Sequence, residues 1–411
     1  MSRFSDHGPS GTHTVVSRFA RVRDGQEQHA TPLELFYDLV FVFAITQVSH
    51  FLLEHLTWEG AGQATLVLLV VWWSWNYTTW VTNELDPEAI AVRLLLIGLM
   101  LASFLMAIAI PEAFGDRALL FAGAYVVIQV GRHTFLTFAA AGPGTIERER
   151  SGRILIWFLV AAVFWIAGGI ADGPLRTVLW LIGLAIDYAG PLCTFWVPGM
   201  KRVPMSAWEL ETSHFAERFQ LFVILALGES IVVTGATTAG DDLDAARLAS
   251  FAVAFLGTAA MWWLYFDYAA AIAQRRLELA TNRTQMARDA YTYLHVVMVA
   301  GVIVAAVGDE VVIAHPDEAL HGAELVVVWA GPAIYLLAQA LFRLRMAGTL
   351  STKRLGGAVA CVLLGLVGGS FAALVLAALL VAVLVAVIAA ETVSGQRRRA
   401  RGEPSPMEAL R

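Results

Sequence analysis

Acidic side chains inside lipid-grade stretches are the residues of this sequence whose types and spacing could do chemistry. The first set lies in TPLELFYDLVFVFAITQVSH (Thr31 to His50), which carries Glu34, Tyr37, Asp38, Gln47 and His50. At helical spacing Glu34, Tyr37 and Asp38 share one face, and Gln47 and His50 fall on a roughly opposite face near the other end. Thr31-Pro32 followed by Glu34 also marks a helix start, where an acid complements the positive end of the dipole. Asp38 is more than a turn further in, so a functional or gating role is expected of it, with Arg93 and Arg132 as counter-ions. The second set lies in HFAERFQLFVILALGESIVV (His214 to Val233), where His214, Glu217, Arg218, Leu221, Leu225, Gly228 and Glu229 form one stripe. His214, Glu217 and Arg218 are spaced to pair with one another. Glu229 lies about 18 Å beyond Glu217 at about 1.5 Å per residue, with no local cation. Such a carboxyl suits proton coupling or ion binding, and its plainer use is a protonated hydrogen bond to a neighbouring helix.

Other polar groups at membrane depth are Arg132 and His133, Asp187 ahead of Pro191, Asp267, Asp289 and His295. A charge at the centre of a membrane helix costs about 2.5–3.5 kcal/mol on insertion scales, so each should face protein or water and find a partner. Asp187 is expected to line a pathway or to bend its helix at Pro191. Glu217 and Arg218 also have an architectural reading as a buried ion pair.

The elements that must hold these residues are apolar helices. Of 411 residues 58% are hydrophobic and 15% charged, with mean hydropathy +0.65, where soluble chains carry roughly 25% charged residues. This composition calls for an all-α, polytopic bundle. Twelve spans are expected near 33–56, 61–82, 89–110, 117–141, 152–171, 175–198, 212–236, 246–272, 286–308, 323–344, 353–370 and 371–391. The last two share one run broken at VGGS (Val367 to Ser370), and a re-entrant hairpin is the alternative there. With twelve alternating helices, one side collects Arg18, Arg21, Arg23, Arg148, Arg150, Arg153, Lys201, Arg202, Arg275, Arg276, Arg283, Arg343, Arg345, Lys353, Arg354 and the Arg397 to Arg401 cluster. The other side holds Arg117, Arg176 and Arg247 with acids such as Asp241, Asp242, Asp244, Asp309, Asp317 and Glu318. The positive-inside rule then places both termini in the cytoplasm of a multi-pass plasma-membrane protein.

Self-similarity recurs at a spacing of roughly 185–195 residues. ELFYDLVFVFAI from Glu34 is matched by ERFQLFVILALGE from Glu217, WWSWNY from Trp72 by WWLYFDY from Trp262, and Arg93 by Arg288. Two parallel six-helix repeats over 31–200 and 201–392 are expected, between a polar tail (1–30) and a basic tail (393–411), with a pathway between the halves. The tryptophans and tyrosines of these motifs, Trp80 and Tyr268 included, read first as interfacial belts and second as a cation–π site.

Several chemistries lack their residues. There are two lysines, neither in a phosphate-binding glycine loop, so ATP-driven transport is not expected. HExxH and GxSxG are absent, and the two cysteines, Cys193 and Cys361, sit in apolar runs, so no enzyme, metal or cofactor is expected. HFLLEH (His50 to His55) is the lesser possibility of an outer metal site. Residues 1–30 lack the apolar core of a signal peptide. The basic tail suits anionic lipid, not nucleic acid.

TPLELFYDLVFVFAITQ and HFAERFQLFVILALGESI resemble the bacterial low temperature requirement A family, as do WWSWNYTTWVTNELD and AIAIPEAFGD (Ala107 to Asp116). The resemblance covers roughly residues 30–390. It implies a polytopic membrane protein linked to growth in the cold, with Glu34, Asp38, His214, Glu217, Arg218, Gly228 and Glu229 as motif residues. FYDLVFVFAIT alone is similar to the first helix of the endolysosomal potassium channel family, with Tyr37 where that motif has Ser. The leading expectation is a secondary transporter or ion-coupled permease for an unknown small solute or ion, possible as an oligomer in the bilayer. The alternatives are a cation channel and a non-transporting sensor or scaffold.

Overall fold

The structure, a computed structural model, describes residues 19–21, 28–204, 208, 210–240, 244–267 and 269–403. Arg18, Arg23, Asp241, Asp242, Tyr268 and most of both tails lie outside those residues. Backbone polar groups in lipid must be satisfied within their own segment, which makes long apolar runs helical. The helices are α1 (Pro32–Glu54), α2 (Trp58–Thr82), α3 (Ile90–Ala109), α4 (Ala118–Phe135), α5 (Ile146–Ile170), α6 (Pro174–Leu192) and α7 (Thr212–Gly240). They continue as α8 (Ala245–Phe266), α9 (Ala269–Leu279), α10 (Arg283–Met286), α11 (His295–Ala314), α12 (Gly322–Ala347), α13 (Thr352–Val367) and α14 (Ala373–Ala400). A π stretch, Leu136–Ala140, extends α4, and another, Ala287–Leu294, fuses α10 to α11. Apolar periodicity predicts neither π stretch, nor the short α9.

Among the described residues, eleven helical segments are long and apolar enough to cross a membrane. The twelfth expected span is α2, equally long at 25 residues but less apolar, because Trp72, Ser74, Asn76, Thr78 and Thr79 sit on it. All five are buried against protein, so their polarity never meets lipid. α1 starts as the sequence predicts, with a capping box in which the Thr31 hydroxyl accepts from the Glu34 amide and the Glu34 carboxylate accepts from the Thr31 amide. The final run is two antiparallel helices, each long and apolar enough to cross: Lys353 at the start of α13 donates to Ala390 O of α14, 2.8 Å. Its turn is the Gly368–Ser370 segment that VGGS marked.

α1 packs on α2, α3 and α7, and α7 packs on α8 and α11. α11 and α12 approach most closely where small residues face each other. A Cβ on Gly331 would lie 2.4 Å from Ala305 N, and one on Gly301 would lie 2.7 Å from Tyr335 N. Close backbone approach of this kind is how membrane helices gain packing without a hydrophobic drive. At the end of the bundle where basic residues gather, Arg150 pairs with Glu84, Arg153 with Glu149 and Arg345 with Asp289. Residues 19–21 lie there too, antiparallel to 84–86, with Arg21 N donating to Glu84 O and Asp86 N to Phe19 O.

Candidate functional site

Three groups of buried polar side chains hold the main sequence-predicted candidates. The first joins α1 to α7. Asp38 is fully buried, and its Oδ1 accepts from Arg218 Nη2 (2.7 Å) and from Trp75 Nε1 (2.8 Å). One turn nearer the basic end, Glu34 accepts from Arg21 (2.9 Å), from the Thr31 amide (2.9 Å), and from His214 Nε2 (2.9 Å). Asn83 fixes the tautomer of His214: its Oδ1 takes the Glu211 amide, so its NH2 faces His214 Nδ1 as donor at 3.1 Å. The ring proton therefore sits on Nε2 and points at Glu34.

These contacts correct three sequence expectations. The counter-ion of Asp38 is Arg218, not Arg93, which is exposed, nor Arg132. His214, Glu217 and Arg218 do not pair with one another; Glu217 is partly exposed and meets His29 and the Ala30 amide. The expected inner stripe on α7 is split, because Leu221 and Leu225 line an outward apolar groove with Leu35, Phe36, Leu39 and Ile224. The side of α7 in the core is Phe215, Phe219, Phe222, Val223 and Ala226. A helical wheel shows which residues share a face but not which neighbour that face meets.

The second group lies between α2, α4 and α6. Arg132 is fully buried and donates through Nη1 to Ser74 O (3.1 Å) and Thr78 Oγ1 (2.9 Å), and through Nη2 to Gln129 Oε1. Its Nε has no partner, and no carboxylate pairs with it among the described residues. Tyr37 OH donates to Thr78 Oγ1 at 2.8 Å, since the Thr78 hydroxyl is spent on Ser74 O. Asp187, equally buried, accepts on Oδ2 from Tyr125 OH (2.7 Å) and Trp165 Nε1 (2.9 Å), while Oδ1 has no partner. Tyr125, Gln129 and Arg132 succeed one another down a single face of α4 at i, i+4 and i+7. His133, on the adjacent face, gives its ring N–H to Gln129 O and packs against Phe158.

The third is Glu229, 4% exposed, lying beside Thr46 of α1 with Oε1 unpartnered. It is the buried acid of α7 that lacks a cation, as its sequence setting predicts.

The remaining candidates are peripheral or structural. His50 is exposed and Gln47 half-buried. Arg288 binds Asp289 and Pro191 O, whereas its supposed counterpart Arg93 is exposed. Asp267 is exposed, and His295 accepts from Tyr265 OH at 2.8 Å. Glu54 and His55 are exposed with His50, and among the described residues no cluster of three or more His, Cys, Asp or Glu could hold a metal ion. The belt reading of the first aromatic motif fails. Trp72, Trp73 and Trp75 are buried, and Trp72 donates to Thr292 O of the π stretch at 2.7 Å. Trp262 and Trp263 of the second motif are half exposed, as a belt requires.

Sequence reasoning also missed a recurrent pair. Tyr125 and Gln129 of α4 reappear as Tyr335 and Gln339 of α12, a spacing of four in each case. Gln339 accepts from Arg354 of α13 as Gln129 does from Arg132. Arg354 Nη2 also donates to Leu264 O (3.0 Å), the carbonyl that WWSWNY and WWLYFDY align with Ser74 O. The signal was in the sequence, but a Tyr-x-x-x-Gln spacing is too short to stand out among apolar residues.

Buried charges held by the helices of an all-α bundle, with no strand among the described residues, define a polytopic integral membrane protein. Residues 29–389 match the bacterial low temperature requirement A protein (LtrA) family, and the chain belongs to that family. It is 36% identical over 343 residues to an uncharacterized protein of Rhizobium meliloti (strain 1021), covering 84% of this chain and 81% of that one. No solved structure matches it.

Proposed function

We propose that the chain is a secondary transporter, an ion-coupled permease of the cytoplasmic membrane with both termini inside. It is read as two parallel six-helix units, 31–200 and 201–392. The observation that carries this reading is that Glu229 and Asp187 are buried carboxyls, each with one unpartnered oxygen and neither in an ion pair among the described residues. Acids left uncompensated inside a membrane protein are costly, and proton relays and ion pathways are where they are kept. The Tyr-Gln-guanidinium arrangement, present once in each unit, supports the repeat.

Within this reading the residues divide by role. Glu229 and Asp187 exchange protons or ions. Asp38 paired with Arg218, and Glu34 held by Arg21 and the neutral His214, brace α1 to α7. Glu217, at the rim, guards the mouth. In liposomes holding a pH-sensitive dye, addition of a transported solute should move protons, and Glu229→Gln and Asp187→Asn should stop this while the protein stays folded. Proton movement unchanged in both variants removes the two acids from the mechanism. Ohmic single-channel current would make the chain a channel, and the absence of both signals would leave a scaffold.

A further inference from the structure

The two guanidinium sites differ in one chemical respect. Arg354 presents its Nε/Nη2 edge to Glu391, with Nε to Oε1 at 3.0 Å and Nη2 to Oε2 at 2.9 Å, a two-bond grip on a carboxylate. Arg132 has the same neighbours, a helix carbonyl and a glutamine oxygen, but no acid. On its corresponding edge Nε is unpartnered and Nη2 rests on the neutral Gln129 Oε1. The groups beside it are hydroxyls and an amide: Thr78 and Ser74 of α2, Tyr37 of α1 beside Ser103 of α3, and Gln129; Asp187 acts on it through charge alone and makes no bond to it. Ser103 Oγ and Gln129 Nε2 are further unpartnered atoms, and every one of these side chains is at most 2% exposed.

A fixed cation among neutral donors, lacking the acid that its twin possesses, is an anion site. We infer that the Nε/Nη2 edge of Arg132, between α2 and α4, binds a small monocarboxylate anion in the place that Glu391 occupies on Arg354. On binding, Gln129 Oε1 gives up Nη2 and the ligand's two oxygens take Nε and Nη2. The Thr78 and Ser74 contacts on Nη1 hold the guanidinium plane meanwhile. Burial sets the size, since only a compact anion fits among side chains this closely packed. The inference deepens the transporter reading by naming a substrate class. It rests on that reading for translocation alone, not for binding.

Binding is measurable without transport. Purified full-length protein in detergent would be titrated with sodium acetate and, at matched ionic strength, sodium chloride, tracking thermal unfolding and buried-tryptophan fluorescence. Acetate should raise the midpoint saturably and chloride should not. Arg132→Gln should weaken the acetate response at least tenfold, and Thr78→Val, which keeps shape, should weaken it severalfold should the arginine variant fail to fold. Equal responses to the two salts, or an unchanged acetate response in both variants, overturn the site. Acetate binding without gradient-driven uptake keeps the site and removes the transporter. Uptake of another solute by a chain indifferent to acetate does the reverse.

Discussion

Arg132 of α4 and Arg354 of α13 hold the same kinds of neighbour and differ in what neutralises them. Arg354 grips Glu391, itself partly exposed at the basic end, so its charge is cancelled within the chain. Arg132 is deeper in the protein and is left with carbonyl, hydroxyl and amide oxygens. Breaking a buried ion pair typically costs several kcal/mol because one charge is stranded. A position that tolerates a stranded charge from the outset is kept for something other than stability. Set side by side, the two arginines show that an internal acid marks architecture, and that its absence marks a place for chemistry.

The largest effect is expected where that logic applies to the joint between α1 and α7. Arg218→Met leaves Asp38 buried without its cation and should destabilise the protein by about 3–5 kcal/mol in mixed-micelle unfolding. Adding Asp38→Asn should restore most of it, and a double variant as weak as the single one would mean that Arg218 acts through packing alone. Next, Glu391→Gln turns the second site into a copy of the first. A loss of about 1–2 kcal/mol is expected, at the low end for charged hydrogen bonds because Glu391 is partly exposed. The converse change, Gln129→Glu, gives Arg132 an acid on the atom that already touches it. It should raise stability by about 1 kcal/mol and abolish the acetate response together, and retention of that response would contradict the anion assignment. Smallest is the aromatic contrast. Trp72→Phe forfeits the bond to Thr292 O and should cost about 1 kcal/mol, while Trp262→Phe, on the lipid side, should change the unfolding curve by less than about 0.5 kcal/mol.

The sequence carried the elements well and the partners poorly. Apolar run length located the crossing helices, and Thr31-Pro32 with Glu34 located the start of α1 to the residue. The partner of Asp38 lies 180 positions away on α7, and no periodicity within either helix encodes that meeting. The spacing of Trp72, Trp73 and Trp75 near a helix end is the same in a belt and in a core, so it points to lipid as readily as to protein. What separates them from Trp262 and Trp263 is that α2 is enclosed by other helices. The π stretch at Ala287–Leu294 is invisible to a 3.6-residue rule, yet its widened turn is what offers Thr292 O to Trp72. Glu229 was readable because its isolation from cations is a local property of α7.

The bridge between Asp38 and Arg218 has a consequence for how the chain is made. A ribosome delivers α1 to the bilayer long before α7 exists, so Asp38 enters lipid as an orphan and waits through five further insertions. Until then Trp75 of α2 supplies the one bond of its final pair that the carboxyl can make. The ion pair that joins α1 to α7 can therefore close only once the seventh helix has been made.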